Sequence, residues 1–197
     1  MAGFHPLTLE GKFVRLVPLA LAHLDSLCAV GLDPNLWTLT MTMIQTREEM
    51  QRYVETALNE QSEGKSLPFV TALKSENKVV GSSRFGNIDG ANRRAEIGWT
   101  WVGVPWQRSA VNTEAKLLML THAFETLKLI RVEFKTDALN SQSRAALARI
   151  GAKEEGTFRN HQIVPHTGRI RDSVYFSIID AEWPEVKRKL EAKLVRL

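Results

Sequence analysis

The sequence predicts an α/β (α+β) domain: one mixed, mostly antiparallel sheet of about seven strands with helices on both faces, formed by residues 1–197 as a single domain. Three observations carry that expectation. From Leu67 onward, strand-like runs follow one another across short polar turns, as in a meander. An apolar run from Ile97 to Val104 leads through a polar loop into a helical pattern and then an alternating strand, and such a step favours one parallel pair. Elsewhere, apolar residues recur at helical spacing between capping and stop signals.

Taken in order, Lys12 to Leu19 reads as a first strand, closed by Pro18 and placed at an edge. Leu21, Leu24, Leu27 and Cys28 give a helix from Ala20 to Leu32, ended by Gly31 and Asp33-Pro34. Trp37 to Ile44 has no clear period. Thr46 and Glu49 form a capping box that opens a helix from Arg47 to Ser62, stopped by Gly64. Leu67 to Lys74, Lys78 to Phe85 and Arg93 to Val102 are the meander strands. A helix from Thr113 to Leu127 buries Ala115, Leu118, Met119, His122, Ala123 and Leu127. Ile130 to Thr136 is a strand. Asn140 to Ile150 is a short helix capped by Asn140 or Ser141, with Gly151 past its end. Strands from Lys153 to Ile163 and Arg169 to Ile179 follow, then a terminal helix from Glu185 to Leu197.

Composition narrows the function. Cys28 is the single cysteine, so an internal disulfide and a cysteine-based metal cluster are excluded. The histidines do not cluster with carboxylates at ligand spacing, and the expectation is no metal. A net charge of +4 suits an anionic ligand but is too small and dispersed for nucleic acid. No apolar run is long enough for a bilayer, and Met1 to Lys12 lacks the order of a signal peptide. A cytoplasmic setting without a membrane partner is expected, and a homodimer stays open.

The stretch from Val104 to Ala115 is the chemical centre of the chain. A loop that ends in a helix start aims free N–H groups at the positive end of the helix dipole, which suits phosphate, and Arg108 adds a fixed charge. An ordinary strand–helix turn is the competing reading.

With these elements in this order, the chain resembles the GNAT superfamily of acyl-CoA-dependent N-acyltransferases, and within it the RimJ/RimL-like branch of ribosomal-protein alanine acetyltransferases. The residues that carry the resemblance are Glu96 to Trp99, Gln107 to Ala115, Ala123 to Glu125, Leu129 to Val132, Asn140 with Ser143, Arg144 and Ala146, and Ile150 to Ala152 with Glu155, Gly156 and Arg159. The pyrophosphate loop of that family reads Gln/Arg-x-x-Gly-x-Gly/Ala. Here Ala110 replaces the first glycine and Asn112 the second small residue. Ala still permits αR or bridge backbone, and Asn tolerates positive φ, so the expectation is retained cofactor binding with altered loop geometry.

The resemblance implies acetyl-CoA (coenzyme A) as cofactor. Its pantetheine arm would pair with the strand that includes Trp101, Val102 and Val104, and its pyrophosphate would meet amides of Gln107, Arg108, Ser109, Ala110, Val111, Asn112 and Thr113. Asn140 would bond the pantetheine, Arg144 could meet a phosphate, and Ser143 would stand near the sulfur. The alternatives are a plain N-cap for Asn140, a solvated helix face for Arg144 and a helix-surface serine for Ser143. Glu96 is the candidate base, with a cross-strand ion pair to Arg84 or Arg94 as the competing role. Tyr53 and Tyr175 are rival acids distant from the motif in sequence. The acceptor is a primary amine, on a protein N-terminus or a small molecule, in a site expected from Leu32 to Thr46 and the last hairpin. Cys28, remote from the loop, argues for direct transfer in a ternary complex. The alternative from another class is a non-catalytic acyl-CoA-binding sensor.

Overall fold

A computed structural model describes residues 3–195. Strands β1 (Leu9–Glu10) and β2 (Val14–Pro18) are followed by helices α1 (Leu24–Gly31) and α2 (Arg47–Ser62). Strands β3 (Leu67–Leu73), β4 (Lys78–Asp89) and β5 (Arg94–Val102) form the meander. Then come α3 (Ala110–Thr121), β6 (Arg131–Asp137), α4 (Ser141–Arg149), β7 (Lys153–Ile163), β8 (Ile170–Ile179) and α5 (Trp183–Val195). One sheet holds them in the order β1-β2-β3-β4-β5-β6-β8-β7. It has eight strands rather than about seven, because a two-residue strand, β1, pairs outside β2 and takes the edge. Residues 196 and 197, which the expected terminal helix included, lie outside the described residues.

Two apolar layers sit on opposite faces. One joins the sheet to α3, α4 and α5 through Val111, Met119, Leu120, Leu147, Ile150, Trp183 and Leu190. The other joins it to α1 and α2 through Leu24, Leu27, Met50, Val54 and Ala57, with Trp37 and Ile44 of the unpatterned segment filling the gap beside Trp101. That segment lacks period because its packing is through isolated large side chains on irregular backbone. Among the described residues, no helix is long and apolar enough to cross a membrane.

Two expected boundaries move for local reasons. Helix α3 starts three residues before Thr113, because Ser109 Oγ accepts the Val111 N–H at 3.3 Å and caps the helix there. Its far end widens to a π-type turn, in which Leu127 N–H donates to the His122 carbonyl at 2.9 Å. Asn140 rather than Ser141 caps α4, accepting the Ser143 N–H at 2.9 Å.

Helix α3 is fixed to the sheet edge by a buried carboxylate. Glu114 accepts the backbone N–H groups of Lys12, Phe13 and Val14, each at 2.7 Å. Gly11 is required for this approach, since a Cβ there would stand 2.4 Å from Glu114 Cδ. Hydrogen bonds to a charged acceptor are the strong ones, and amides left unpaired on burial cost more. Glu114→Gln leaves one acceptor oxygen and turns an NH2 group towards the donors. It is expected to lower stability by about 3 kcal/mol, read from urea unfolding. An unchanged midpoint would show that water serves these amides equally well.

Candidate active site

The parallel pairing of β5 with β6 spans three residue pairs, Arg94↔Arg131, Ala95↔Val132 and Glu96↔Glu133. Beyond Glu96 the strands part, although β5 runs on to Val102 and β6 to Asp137. Two bulges bend β5 and its neighbour at that place. β4 carries an extra residue near Asn87, and β5 carries one between Gly98 and Trp101. Trp99, inside the second bulge, holds φ at +48°. The result is a V-shaped opening whose β5 side has backbone groups without a partner strand.

Helix α3 begins at the mouth of this opening. The positions that hold glycine in the resemblance, Ala110 and Asn112, lie within the regular helix and need no positive φ. The left-handed residue is Arg108, at φ +59°, so the positive φ of this loop falls before the helix rather than at Asn112. Arg108 is exposed and has no ion pair among the described residues, so its charge is free at the helix start. The loop is also tied down. Gln107 donates from Nε2 to the Val102 carbonyl at 3.0 Å and accepts from Gln142 Nε2 at 3.0 Å, which joins the end of β5 to the first turn of α4. Val104 is exposed in a 3-10 turn, Val104–Trp106, while Thr113 is buried under the helix start. Trp101 is buried against Trp37, with ring centroids 5.6 Å apart, so its contribution to the opening is backbone only.

Glu96 is the last β5 residue paired with β6 and is 6% exposed. The competing ion pair with Arg84 or Arg94 is not formed. Arg84 bonds Glu60 at 3.0 Å and covers the Trp99 ring at 4.0 Å, and Arg94 serves Asp89 and Glu133. The partners of Glu96 come from elsewhere: Asn87 Nδ2 donates to Oε2 at 2.8 Å, and Lys135 Nζ stands 3.7 Å from the same oxygen. Oε1 has no hydrogen-bond donor among the described residues and lies over Gly98, where a Cβ would come within 2.9 Å. One oxygen is anchored and the other faces the point where the strands separate.

Ser143 is half-buried in the first turn of α4, and no hydrogen bond of its hydroxyl occurs among the described residues. Arg144 is engaged rather than free: it pairs with Glu154 at 3.2 Å and reaches the Ala138 carbonyl at 3.4 Å. The tyrosines are closer to the opening than their sequence positions suggest. Tyr53 reaches the Trp99 carbonyl at 3.4 Å, and burial raises its phenol above the ordinary value. Tyr175 pairs with Lys135 across β8 and β6, and its phenol is raised by burial and by the negative charge of Glu96. Cys28 stays on α1, against the second apolar layer.

A cleft of about 420 Å³ opens on the α2 side of the sheet, between Thr42, Met43, Arg52 and Tyr53 on one wall and Arg84 and Trp99 on the other. The expected acceptor segment contributes Thr42 and Met43, but no residue of the last hairpin lines it.

The profile described as Acetyltransferase (GNAT) domain matches residues 14–153. The chain belongs to the GNAT acetyltransferase family. It is an N-acetyltransferase, and proteins of the RimJ/RimL-like branch are among those it resembles. It is 36% identical over 108 residues to YdaF of Bacillus subtilis (strain 168), a protein named provisionally as a ribosomal N-acetyltransferase, covering 55% of this chain and 57% of that one. A GCN5-related N-acetyltransferase structure from Brucella melitensis superposes with a TM-score of 0.87 at 33% identity, covering 95% of this chain and 85% of that one. The structure of Mycobacterium smegmatis RimJ in complex with CoA-disulfide superposes with a TM-score of 0.82 at 27% identity, covering 98% and 97%.

In this acetyltransferase, Asn140 shapes the mouth through its cap. Asn140→Ala is expected to cost about 1 kcal/mol in urea unfolding, while Asn140→Asp, which keeps an acceptor, costs close to none. Equal losses for the two variants would show that the cap is not the source.

Proposed function

We propose that this protein transfers an acetyl group from acetyl-CoA to a primary amine by direct attack within a ternary complex. The observation that carries the reading is the unpaired β5 edge, which opens onto the start of α3. An extended amide-bearing arm can take the place of a strand along such an edge, and a pyrophosphate suits orphan N–H groups at a helix start. The residues present fit that ligand: a free Arg108, a Ser109-capped helix start and backbone without a ladder on one side.

Acetyl-CoA supplies an activated thioester. The chain supplies the rest. The β5 edge and the α3 amides bind and orient the cofactor. Glu96 Oε1 takes the proton of the incoming amine, directly or through one water, while Asn87 and Lys135 hold the other oxygen in place. Ser143 offers its hydroxyl to the leaving sulfur. The cleft at Tyr53 and Trp99 receives the acceptor on the α2 side. A protein α-amine suits this chemistry better than a lysine, with a pKa of about 8 against about 10.4. The branch likeness points the same way, and small amines are the competing class.

The deciding experiment is an amine screen with acetyl-CoA that follows thiol release, alongside calorimetry of cofactor binding. Binding without turnover on any amine would favour a sensor. Ala110→Glu puts a carboxylate at the helix start and is expected to weaken CoA binding at least tenfold with little change in melting temperature. Unaltered affinity in the folded variant would remove the loop from the cofactor site. Glu96→Gln is expected to lower kcat/KM about a hundredfold at pH 7. That defect shrinks as pH approaches the pKa of the acceptor, because the amine then arrives neutral. A ratio of the two pH–rate profiles that stays flat would leave Glu96 a structural role only.

A further inference from the structure

Lys116 is a buried amine that the proposed chemistry does not use. It lies on α3, is 4% exposed, and reaches up to the sheet. Its Nζ is 2.9 Å from Ser83 Oγ on β4 and 2.7 Å from Thr100 Oγ1 on β5. The two hydroxyls are themselves 2.8 Å apart, so the three groups close a triangle. Ser83 is 1% exposed, whereas Thr100 is exposed. Thr100 stands four residues beyond the last β5–β6 pair, on the edge that faces the opening. It therefore links a fully enclosed amine to the surface that would hold a pantetheine arm.

Counting protons gives the linkage a direction. An ammonium has three N–H donors and no lone pair, so both hydroxyl oxygens accept from it. Ser83, enclosed, keeps its own proton on the Thr100 oxygen. The Thr100 proton is then excluded from the triangle and points to the opening, where its acceptor among the described residues is the Gly98 carbonyl at 3.4 Å. A neutral amine has a lone pair, which can accept the Thr100 proton and turn it inward.

We propose that Lys116 sets the direction of the Thr100 hydroxyl, and that proton uptake by the amine turns this hydroxyl outward as a donor to an amide carbonyl of the pantetheine arm. The inference rests on the cofactor reading above. Burial lowers the amine to about 7, so both forms are populated near neutral pH. The groups facing Lys116 from β4 and β5 are these two hydroxyls. β2, β3 and β6 present Val14, Leu16, Phe69, Val132 and Phe134 to the same layer. On α3 itself, the Glu114 carboxylate is committed to the Lys12–Val14 amides. His122 packs on Phe85 further along, its own value lowered by burial. Glu133 and Lys135 alternate with the core residues of β6 and so lie on the other face.

The test is calorimetry of CoA with the full chain at pH 6, 7 and 8.5, for wild type, Lys116→Met, Thr100→Val and Thr100→Ser. Comparing proteins at each pH cancels the ionisation of CoA itself. The advantage of wild type over Lys116→Met is expected to fall about threefold to tenfold from pH 6 to 8.5. Thr100→Ser should behave as wild type, and Thr100→Val as Lys116→Met. A constant ratio between wild type and both hydroxyl- or amine-lacking variants overturns the proposal while leaving the cofactor reading standing. Failure of wild type to bind CoA at any pH overturns both. Should Lys116→Met not fold, the Thr100→Val and Thr100→Ser pair, at an exposed position, decides alone.

Discussion

Three parallel residue pairs between β5 and β6 are the backbone ladder that joins the two halves of the sheet among the described residues. Everything about the site follows from the shortness of that ladder. A longer one would pair the edge of β5 to its end and leave no room between the strands. A missing one would separate β1–β5 from β6, β8 and β7. The bulges at Asn87 and Trp99 end the pairing, because an extra residue on one side of a ladder increases local twist and turns the strand away from its neighbour. Backbone groups exposed in this way must find water or a ligand.

The rest of the structure keeps that opening in place. Glu114 ties α3 to the first strands through three charge-assisted hydrogen bonds, and Gln107 ties the loop to both β5 and α4. On the far half, Arg131 pairs with Glu155, whose carboxyl is held at about 2 by that guanidinium, and Ser177 donates to it from β8 at 2.7 Å. These contacts hold β6, β8 and β7 in register next to the splayed edge. The site is thus built between two separately braced units.

The two faces of β5 do different work. Toward α2 it presents Glu96, Gly98 and Trp99, beside the cleft with Tyr53 and Arg84. Toward α3 it presents Ala95 and Ile97 to the core and Thr100 to Lys116. The bulge permits this division, since it lets Trp99 and Trp101 both turn to the α2 side while Thr100 alone turns to the other.

The sequence by itself determined the kinds and order of the elements. Period, caps and turn residues are local, and Thr46 with Glu49, Asn140 and Gly151 mark boundaries without reference to the rest of the chain. It also determined the strand–loop–helix at the centre, because apolar runs on either side of a polar loop are visible in one dimension. Only the tertiary structure decided which charges meet. Glu96 takes Asn87 and Lys135 rather than the arginines near it in sequence, since β4 bulges and β6 runs alongside. Tyr53 reaches the Trp99 carbonyl from 46 residues away. Lys116 and Glu114 fall outside the apolar set that helical spacing picks out, yet both are buried. Their partners, the Ser83 and Thr100 hydroxyls and the Lys12–Val14 amides, come from distant strands and carry no signal in helical spacing. Side chains that satisfy buried polar groups across long separations are chosen by three-dimensional proximity, and sequence periodicity does not encode it.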